Sequence, residues 1–247
     1  MAAKPGPAAR REAEVRGQRR LAHVTLLRHG EPDWAPRGGP TVGDPGLTEF
    51  GRDQARAAAR ALARGPVDAI YVSPYRRAQE TAVPLAEATG LAPVTVEALA
   101  EIGINFEGLT QEQVDRTFVE ASRRPLQEHW EGWPGGETFT AFHRRVTGGL
   151  ADVLARHAIR GGKRDRFTVW EVPEDPPSIV VVAHGGTNAV LLTHLLDLDP
   201  VPWEWLRFES ALCAYSVTQA RRLGAQGHVW SLQNFNELDH LRAAGLL

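Results

Sequence analysis

Short apolar runs alternate with longer helical patterns along the chain. Residues 21–27, 69–72 and 179–182 form runs of strand length, and the last is continuous, which is typical of a parallel strand buried on both faces. Apolar residues with helical spacing follow each of these runs. The spacing predicts helices over residues 48–64, 75–89, 110–122, 137–158 and 187–196. This repeated strand-then-helix order predicts an α/β domain.

Capping and turn residues place the boundaries of these elements. Ser73 followed by Pro74 predicts an N-cap with Pro in the first turn of the second helix. A third short strand is expected near residues 94–96. Near the chain end, the runs 213–218 and 228–232 flank a Gly-containing turn and predict an antiparallel hairpin. We therefore expect a three-layer α/β/α sandwich whose central sheet is mostly parallel with an antiparallel edge.

The chain length fits one domain. Its 247 residues bury enough apolar surface to fold without a disulfide or a structural metal, and we expect a single domain over residues 21–247. Segment 160–177 mixes Gly, Pro and charged residues around a short β-like run, which predicts an excursion such as a small hairpin. Residues 1–20 are rich in Arg and Ala without an apolar core, so we expect a disordered tail there.

Charge and cysteine content exclude several classes of protein. Lys and Arg total 28 against 30 Asp and Glu, and this formal net charge of -2 argues against binding of nucleic acid. The single cysteine, Cys213, excludes an intrachain disulfide and any CxxC motif. The most apolar stretch, residues 178–198, is interrupted by His, Asn and Asp, so we expect no membrane span. A cytoplasmic protein fits these features best.

Three polar motifs fall close to the ends of predicted strands. Arg28-His29-Gly30 follows the first strand, Arg76-Arg77 lies one turn past the second, and His184-Gly185-Gly186 follows the central strand. Ligands of open α/β sheets bind outside the carboxyl ends of strands, so we expect these motifs to meet. The nine histidines show no HExxH, HxH or Cys-His spacing. We therefore expect no metal site and no cofactor.

Further stretches carry motif residues in the order of one protein family. They are Leu27-Arg28-His29-Gly30-Glu31, Asp44-Pro45-Gly46-Leu47-Thr48 with Gly51 and Gln54-Ala55, Ser73-Pro74 with Arg77-Ala78, Glu80-Thr81-Ala82, Pro134-Gly135-Gly136-Glu137 and Ala183-His184-Gly185-Gly186. Together they resemble the histidine phosphatase superfamily, also called the phosphoglycerate mutase-like family. The resemblance covers most of the chain from Leu21 to about Leu196.

This resemblance implies phosphoryl transfer through a phosphohistidine. His29 would be the nucleophile, held neutral, with one ring nitrogen free and the other donating to a backbone carbonyl. Arg28, Arg77 and His184 would bind the phosphoryl oxygens through hydrogen bonds that strengthen in the transition state. Gly185, in the same motif as His184, is expected to contact the substrate.

The proton donor implied by the resemblance is Glu101. It follows Leu99-Ala100 and precedes an aromatic-Glu-Gly turn at residues 106–108. The spacing to that turn is one residue shorter than in the family and the usual Phe-Gly pair is absent, so Glu107 remains the main alternative and a structural carboxylate another. The acid would protonate the departing alkoxide and then activate water against the phosphohistidine.

Departures from the family pattern bear on the reaction. Where the family's mutases have polar residues, this chain has Pro32 and Ala35, and residues 102–105 read Ile-Gly-Ile-Asn instead of Arg-His-Tyr-Gly. We therefore expect a metal-independent phosphomonoester hydrolase acting through phosphohistidine on a small phosphorylated metabolite. The alternatives are a bisphosphoglycerate-dependent phosphoglycerate mutase and a weakly catalytic phospholigand-binding regulator. Whether the chain forms a homodimer stays open.

Aromatic residues offer a wall for an apolar or ring-bearing leaving group. Trp34 is the favoured candidate for substrate contact, while packing in the core is the simpler role for the others. The other candidates are Phe106, Trp130, Trp133, Trp203 and Trp205.

Overall fold

The computed structural model describes residues 20–103, 107–133 and 135–247, and within them one sheet runs through the molecule. Its strands are β1 (His23–Arg28), β2 (Ala69–Val72), β3 (Val94–Thr95), β4 (Arg160–Arg164), β5 (Phe167–Glu171), β6 (Ser178–Ala183), β7 (Tyr215–Arg222) and β8 (His228–Glu237). The α-helices are α1 (Glu49–Leu62), α2 (Arg76–Thr89), α3 (Gln111–Ser122), α4 (Phe139–Ala155), α5 (Gly185–Leu195), α6 (Glu204–Arg207) and α7 (Asp239–Arg242). The tail expected at residues 1–20 lies almost entirely outside the described residues.

The sheet has a parallel half and an antiparallel half, in the order β3-β2-β6-β1-β7-β8-β5-β4. Strand β6 is buried along its whole length and pairs in parallel with β1 on one side and β2 on the other. The predicted α/β class with a parallel centre and an antiparallel edge is confirmed. Strand β6 is also the continuous apolar run that identified a central strand.

The antiparallel half is larger than the sequence indicated. The expected hairpin is β7–β8, and β7 pairs with β1 while β8 continues to Glu237, beyond the predicted limit of residue 232. The excursion at residues 160–177 contains the hairpin β4–β5, and β5 joins β8 at the Trp170–His228 pair. This excursion therefore extends the sheet by two strands.

Helices cover both faces of the sheet, because neighbouring residues of a strand point to opposite faces. Leu26 and Val181 belong to a core shared with α4 and α5, whereas Leu27 and Val182 belong to a core shared with α1 and α2. The sheet therefore separates two apolar cores. The result is the expected three-layer arrangement. Within the described part of the chain, helices do not cover the carboxyl ends of β1, β2 and β6, which lie at one edge of the sheet.

Two helix starts differ from the sequence prediction. The N-cap of α2 is Tyr75, whose side chain makes no cap hydrogen bond, so the cap predicted at Ser73 is wrong. The backbone N–H of Arg76 instead donates to the carboxylate of Asp44, at 2.9 and 3.2 Å from its two oxygens. Helix α5 begins at Gly185, two residues before its predicted start, because glycines hide a helical pattern.

Among the described residues, no helix combines the length and apolar character that crossing a membrane requires.

Candidate active site

A cavity of about 620 Å³ opens at the carboxyl ends of β1, β2 and β6. The structure brings the predicted site residues together on its wall, even though they come from four distant parts of the chain. These residues are Arg28, His29, Trp34, Arg77, Glu101, His184 and Gly185. The cavity therefore lies at the edge of the sheet where the sequence predicted that the three polar motifs meet.

His29 lies at the floor of this cavity and is only 5% exposed. Its Nδ1 is 2.7 Å from the carbonyl oxygen of Gly30, which can only accept, so Nδ1 carries the proton and Nε2 keeps its lone pair. Burial lowers the pKa of His29 well below its usual value, and the charge of Arg77 acts in the same direction. The ring is therefore a neutral base with one free nitrogen, as the sequence predicted for a nucleophile.

The turn that carries His29 is fixed by close backbone packing. The N–H of Gly30 donates to Thr81 Oγ1 at 3.0 Å, and Thr81 in turn donates to the carbonyl of Arg77 at 2.7 Å. A Cβ at Gly30 would lie 2.6 Å from the carbonyl oxygen of Gly51, so a larger residue does not fit. These contacts connect the motif after β1 directly to helix α2.

His184 stands beside His29 at the start of α5. The two ring centroids are 5.1 Å apart, and His184 is 1% exposed. Its Nε2 lies 2.7 Å from Ser73 Oγ, while its Nδ1 is buried and has no hydrogen-bond partner among the described residues. Burial, together with the neighbouring His29, lowers the pKa of His184 well below its usual value. One buried polar atom at the cavity is thus left ready for a ligand.

Arg28 and Arg77 place two guanidinium groups on the same wall. Arg77 is 5% exposed, and the Nε atoms of both arginines are buried without a partner among the described residues. Burial lowers the pKa of each, and Glu101 acts in the opposite direction on both. Arginine stays charged under such shifts. The cavity therefore presents unpaired donors with positive charge, which suits a phosphoryl group.

Two aromatic rings and one carboxylate hold Arg77 in place. The guanidinium carbon lies 5.1 Å from the centre of the Trp34 ring and 4.6 Å from the centre of the Tyr75 ring. Asp44 Oδ1 is 3.8 Å from one terminal nitrogen of Arg77. Since Asp44 also caps α2, the loop after β1 positions both the helix and its arginine.

Glu101 is bound at the N-terminus of α5. Its Oε2 accepts from the N–H of Gly186 at 2.8 Å, and its Oε1 accepts from its neighbour Ile102 at 3.0 Å and from Thr187 Oγ1 at 3.3 Å. A Cβ at Gly186 would lie 2.6 Å from Oε1, so only glycine permits this approach. The early start of α5 is therefore what brings the carboxyl group to the cavity.

An ion pair behind Glu101 holds the backbone that leads to it. Arg145 of α4 donates to the carbonyls of Ala98 and Ala100 at 2.9 and 3.0 Å, and its other nitrogens contact the carboxylate of Glu137. Glu137 belongs to the Pro-Gly-Gly-Glu motif. Glu137 thus acts on the site through Arg145 and does not itself line the cavity.

Glu107 and the aromatic candidates differ in their position relative to the cavity. Glu107 is exposed and lies against Gly43, and it does not line the cavity as Glu101 does. Trp34, Trp133 and Trp205 line the cavity. Trp130 packs on Phe139 and Trp203 on His129, so neither belongs to the cavity wall, and Phe106 lies outside the described residues.

Sequence reasoning missed several residues of the site. Ser73, predicted as a helix cap, instead contacts His184, and the Ser-Pro motif is the sequence signal that marks it. Tyr75, Phe208 and Glu209 line the cavity without having been singled out, because no periodicity or spacing identifies a wall residue in an irregular segment.

Among the described residues, no group of three or more His, Cys, Asp or Glu side chains is placed to hold a metal ion.

Comparison with known proteins agrees with this geometry. The model of the histidine phosphatase superfamily (branch 1) matches residues 24–236. Phosphoserine phosphatase 1 of Hydrogenobacter thermophilus is 35% identical over 182 residues, which are 72% of this chain and 78% of that protein. Glucosyl-3-phosphoglycerate phosphatase of Mycobacterium tuberculosis is 34% identical over 187 residues, covering 74% of this chain and 79% of the relative.

The fold agrees as well. The solved structure of a mycobacterial glucosyl-3-phosphoglycerate phosphatase in complex with VO3 superposes with a TM-score of 0.64 at 30% identity, over 87% of this chain and 98% of that one. Sequence motifs, cavity and fold lead to one conclusion: the chain belongs to the histidine phosphatase superfamily, branch 1.

Proposed function

We propose that this protein hydrolyses phosphomonoesters of small metabolites through a phosphohistidine formed on Nε2 of His29, without a metal ion. The observation that carries the proposal is the contact between His29 Nδ1 and the carbonyl of Gly30, because it fixes the tautomer in which Nε2 is the nucleophile. The lowered pKa of His29 keeps that nitrogen unprotonated near neutral pH.

In the first step Nε2 of His29 attacks phosphorus while the bond from phosphorus to the leaving oxygen breaks. Arg28 and Arg77 hold the equatorial oxygens, and their Nε–H groups, which have no partner among the described residues, are available as donors. Nδ1 of His184 donates to the same group. Glu101 gives its proton to the departing oxygen, so the products of this step are an alcohol and the phosphoenzyme.

In the second step water attacks the phosphohistidine. Glu101, now ionised, accepts a proton from this water as the new phosphorus–oxygen bond forms and the bond to Nε2 breaks. The N–H of Gly186 and the hydroxyl of Thr187 donate to the carboxylate and stabilise it in this form. Inorganic phosphate then leaves, and His29 returns to its neutral state.

The test is an assay of phosphate release by the full chain from a panel of alkyl and aryl phosphates, with and without EDTA. We expect release that EDTA does not reduce and that vanadate, a mimic of the five-coordinate phosphoryl group, inhibits. Loss of activity in EDTA with recovery on adding a divalent metal would contradict the arginine-based mechanism. Conversion of 3-phosphoglycerate to 2-phosphoglycerate with a bisphosphoglycerate primer, faster than any phosphate release, would identify a mutase instead.

A further inference from the structure

We infer that the preferred substrate carries an uncharged, apolar leaving group such as a ring-bearing alcohol, and that a carboxylate on the leaving group is selected against. This inference rests on the proposed phosphatase function and concerns the part of the cavity beyond the phosphoryl group. That part is built by residues 205–212, here named the wall segment, and by aromatic side chains opposite it; within the segment, Arg207 and Ala211 do not line the cavity.

The wall segment is a fixed part of the fold. Glu204 is fully buried, and its Oε1 accepts from the N–H of Val201 at 2.8 Å, which anchors helix α6 and the Trp205 and Leu206 side chains that follow. At the other end, the N–H of Ala211 donates to the Asn236 side chain at 2.8 Å. The wall segment therefore presents its side chains to the cavity before any ligand arrives.

Arg28 connects this segment to the phosphoryl site. One terminal nitrogen of Arg28 donates to the carbonyl of Ser210, and the carboxylate of Glu209 is close enough to act on the pKa of Arg28. A substrate whose phosphoryl group meets Arg28 must therefore direct its leaving group along the wall segment. The identity of the side chains there decides which leaving groups fit.

Those side chains are mainly apolar. The segment contributes Trp205, Leu206, Phe208 and Leu212, and Leu206 is 69% exposed. Exposed apolar side chains that converge on one cavity are the usual mark of a binding surface for an apolar group. The facing side of the cavity adds four more apolar or aromatic residues: Trp34, Tyr75, Ile102 and Trp133.

The charges on the wall disfavour a second anion. Two guanidinium groups, those of Arg28 and Arg77, face three carboxylates, those of Glu31, Glu101 and Glu209. Both guanidinium groups are occupied once a phosphoryl dianion binds. Among the described residues no further Lys or Arg lines the cavity. A carboxylate on the leaving group would thus enter an apolar, acidic cavity without a partner.

The test compares two esters that differ only in a remote charge: 3-phenylpropyl phosphate and 3-(4-carboxyphenyl)propyl phosphate. Because the carboxylate is far from the ester oxygen, both alcohols leave with the same basicity, so a difference in kcat/KM reports binding in the cavity. We expect kcat/KM of the uncharged ester to be higher by about tenfold or more. Equal values, or preference for the carboxylated ester, would overturn the inference.

A charge-placing variant locates the effect. Leu206→Lys puts a cation on the wall segment and should reduce the difference between the two esters, whereas Leu223→Lys makes the same change at an exposed leucine of the β7–β8 turn and should not. A difference that Leu206→Lys leaves intact would show that the wall segment does not select the leaving group. Absence of phosphate release from both esters and from p-nitrophenyl phosphate would instead reject the proposed function.

Discussion

Ser73 Oγ lies 2.7 Å from His184 Nε2, and both atoms are buried beneath the cavity. Ser73 Oγ is also 3.4 Å from the N–H of Tyr75, which can only donate, so the serine has its own proton available for the histidine. A serine that donates to Nε2 leaves the imidazole proton on Nδ1. Nδ1 is the atom of His184 that has no partner among the described residues, so in the proposed mechanism Ser73 makes Nδ1 the donor to the phosphoryl group.

Replacing Ser73 with Ala should therefore lower kcat while the protein stays folded. If the His184 proton is no longer held on Nδ1 and the transition state loses a hydrogen bond of about 1–3 kcal/mol, kcat falls by about 5- to 150-fold. The matched control is Ser178→Ala, at another buried serine of the sheet whose hydroxyl has no partner among the described residues. Steady-state kinetics on both variants checks the prediction. An equal, small effect of the two substitutions would remove Ser73 from the mechanism.

Replacing Glu101 with Gln should slow hydrolysis according to the leaving group. Alkyl phosphates, whose alkoxides need a proton, should lose about 10²–10⁴-fold, and p-nitrophenyl phosphate much less, because its leaving group departs without one. The measurement is kcat/KM for the two classes of ester in parallel. Glu107→Gln, at the exposed neighbouring carboxylate, should change neither. Leaving-group dependence in Glu107→Gln in place of Glu101→Gln would assign the acid to Glu107.

Arg77 should not tolerate replacement by Lys, even though the charge is kept. A lysine ammonium cannot reproduce the planar group held between Trp34 and Tyr75, so at least one donor to the phosphoryl oxygens is lost. We expect kcat/KM to fall by about 10²–10³-fold. The adjacent Arg76 is solvent-exposed and pairs with Glu80, and Arg76→Lys should retain activity. Full activity in Arg77→Lys as well as in Arg76→Lys would mean that charge at this helix end, not geometry, is what matters.

The buried histidines should make stability depend on pH. The pKa values of His29 and His184 are lowered in the folded protein, so below about pH 6.5 the unfolded chain binds more protons and the free energy of unfolding decreases. Each histidine that stays neutral when folded contributes a loss of about 1.4 kcal/mol between about pH 7.5 and pH 5.5. Urea titrations should show a smaller pH dependence for His29→Asn than for the parent. An unchanged dependence would show that His29 is not held neutral.

The sequence was informative where chemistry and strand pattern coincide. Arg28-His29 and His184 directly follow apolar runs, and parallel strands bring such positions to one edge, so their meeting could be predicted from the order of strands alone. The tautomer of His29 could be anticipated as well, because the other nitrogen of a nucleophilic imidazole carries the proton and requires an acceptor. The carbonyl of Gly30, one residue away, provides it.

Contacts between segments far apart in the chain could not be predicted in the same way. The apparent cap at Ser73 points to His184, 111 residues away, because Asp44 already satisfies the first free N–H of α2. The first turn of α5 contains two glycines, which carry no apolar pattern. The sequence therefore could not show that this turn binds the carboxylate of Glu101. The wall segment follows no period at all, since it is positioned by Glu204 and Asn236 through single hydrogen bonds.

The most direct test of the central claim is rapid acid-free quenching of the full chain with ³²P-labelled p-nitrophenyl phosphate, followed by analysis of the protein-bound label. The mechanism requires a phosphoenzyme that is labile in acid and stable in base, as a phosphohistidine is, in the parent protein. Label should accumulate in Glu101→Gln, which lacks the base for the second step, and be absent in His29→Ala. Hydrolytic activity or label persisting in His29→Ala, or an acid-stable adduct in the parent, would contradict the assignment of His29 as the nucleophile.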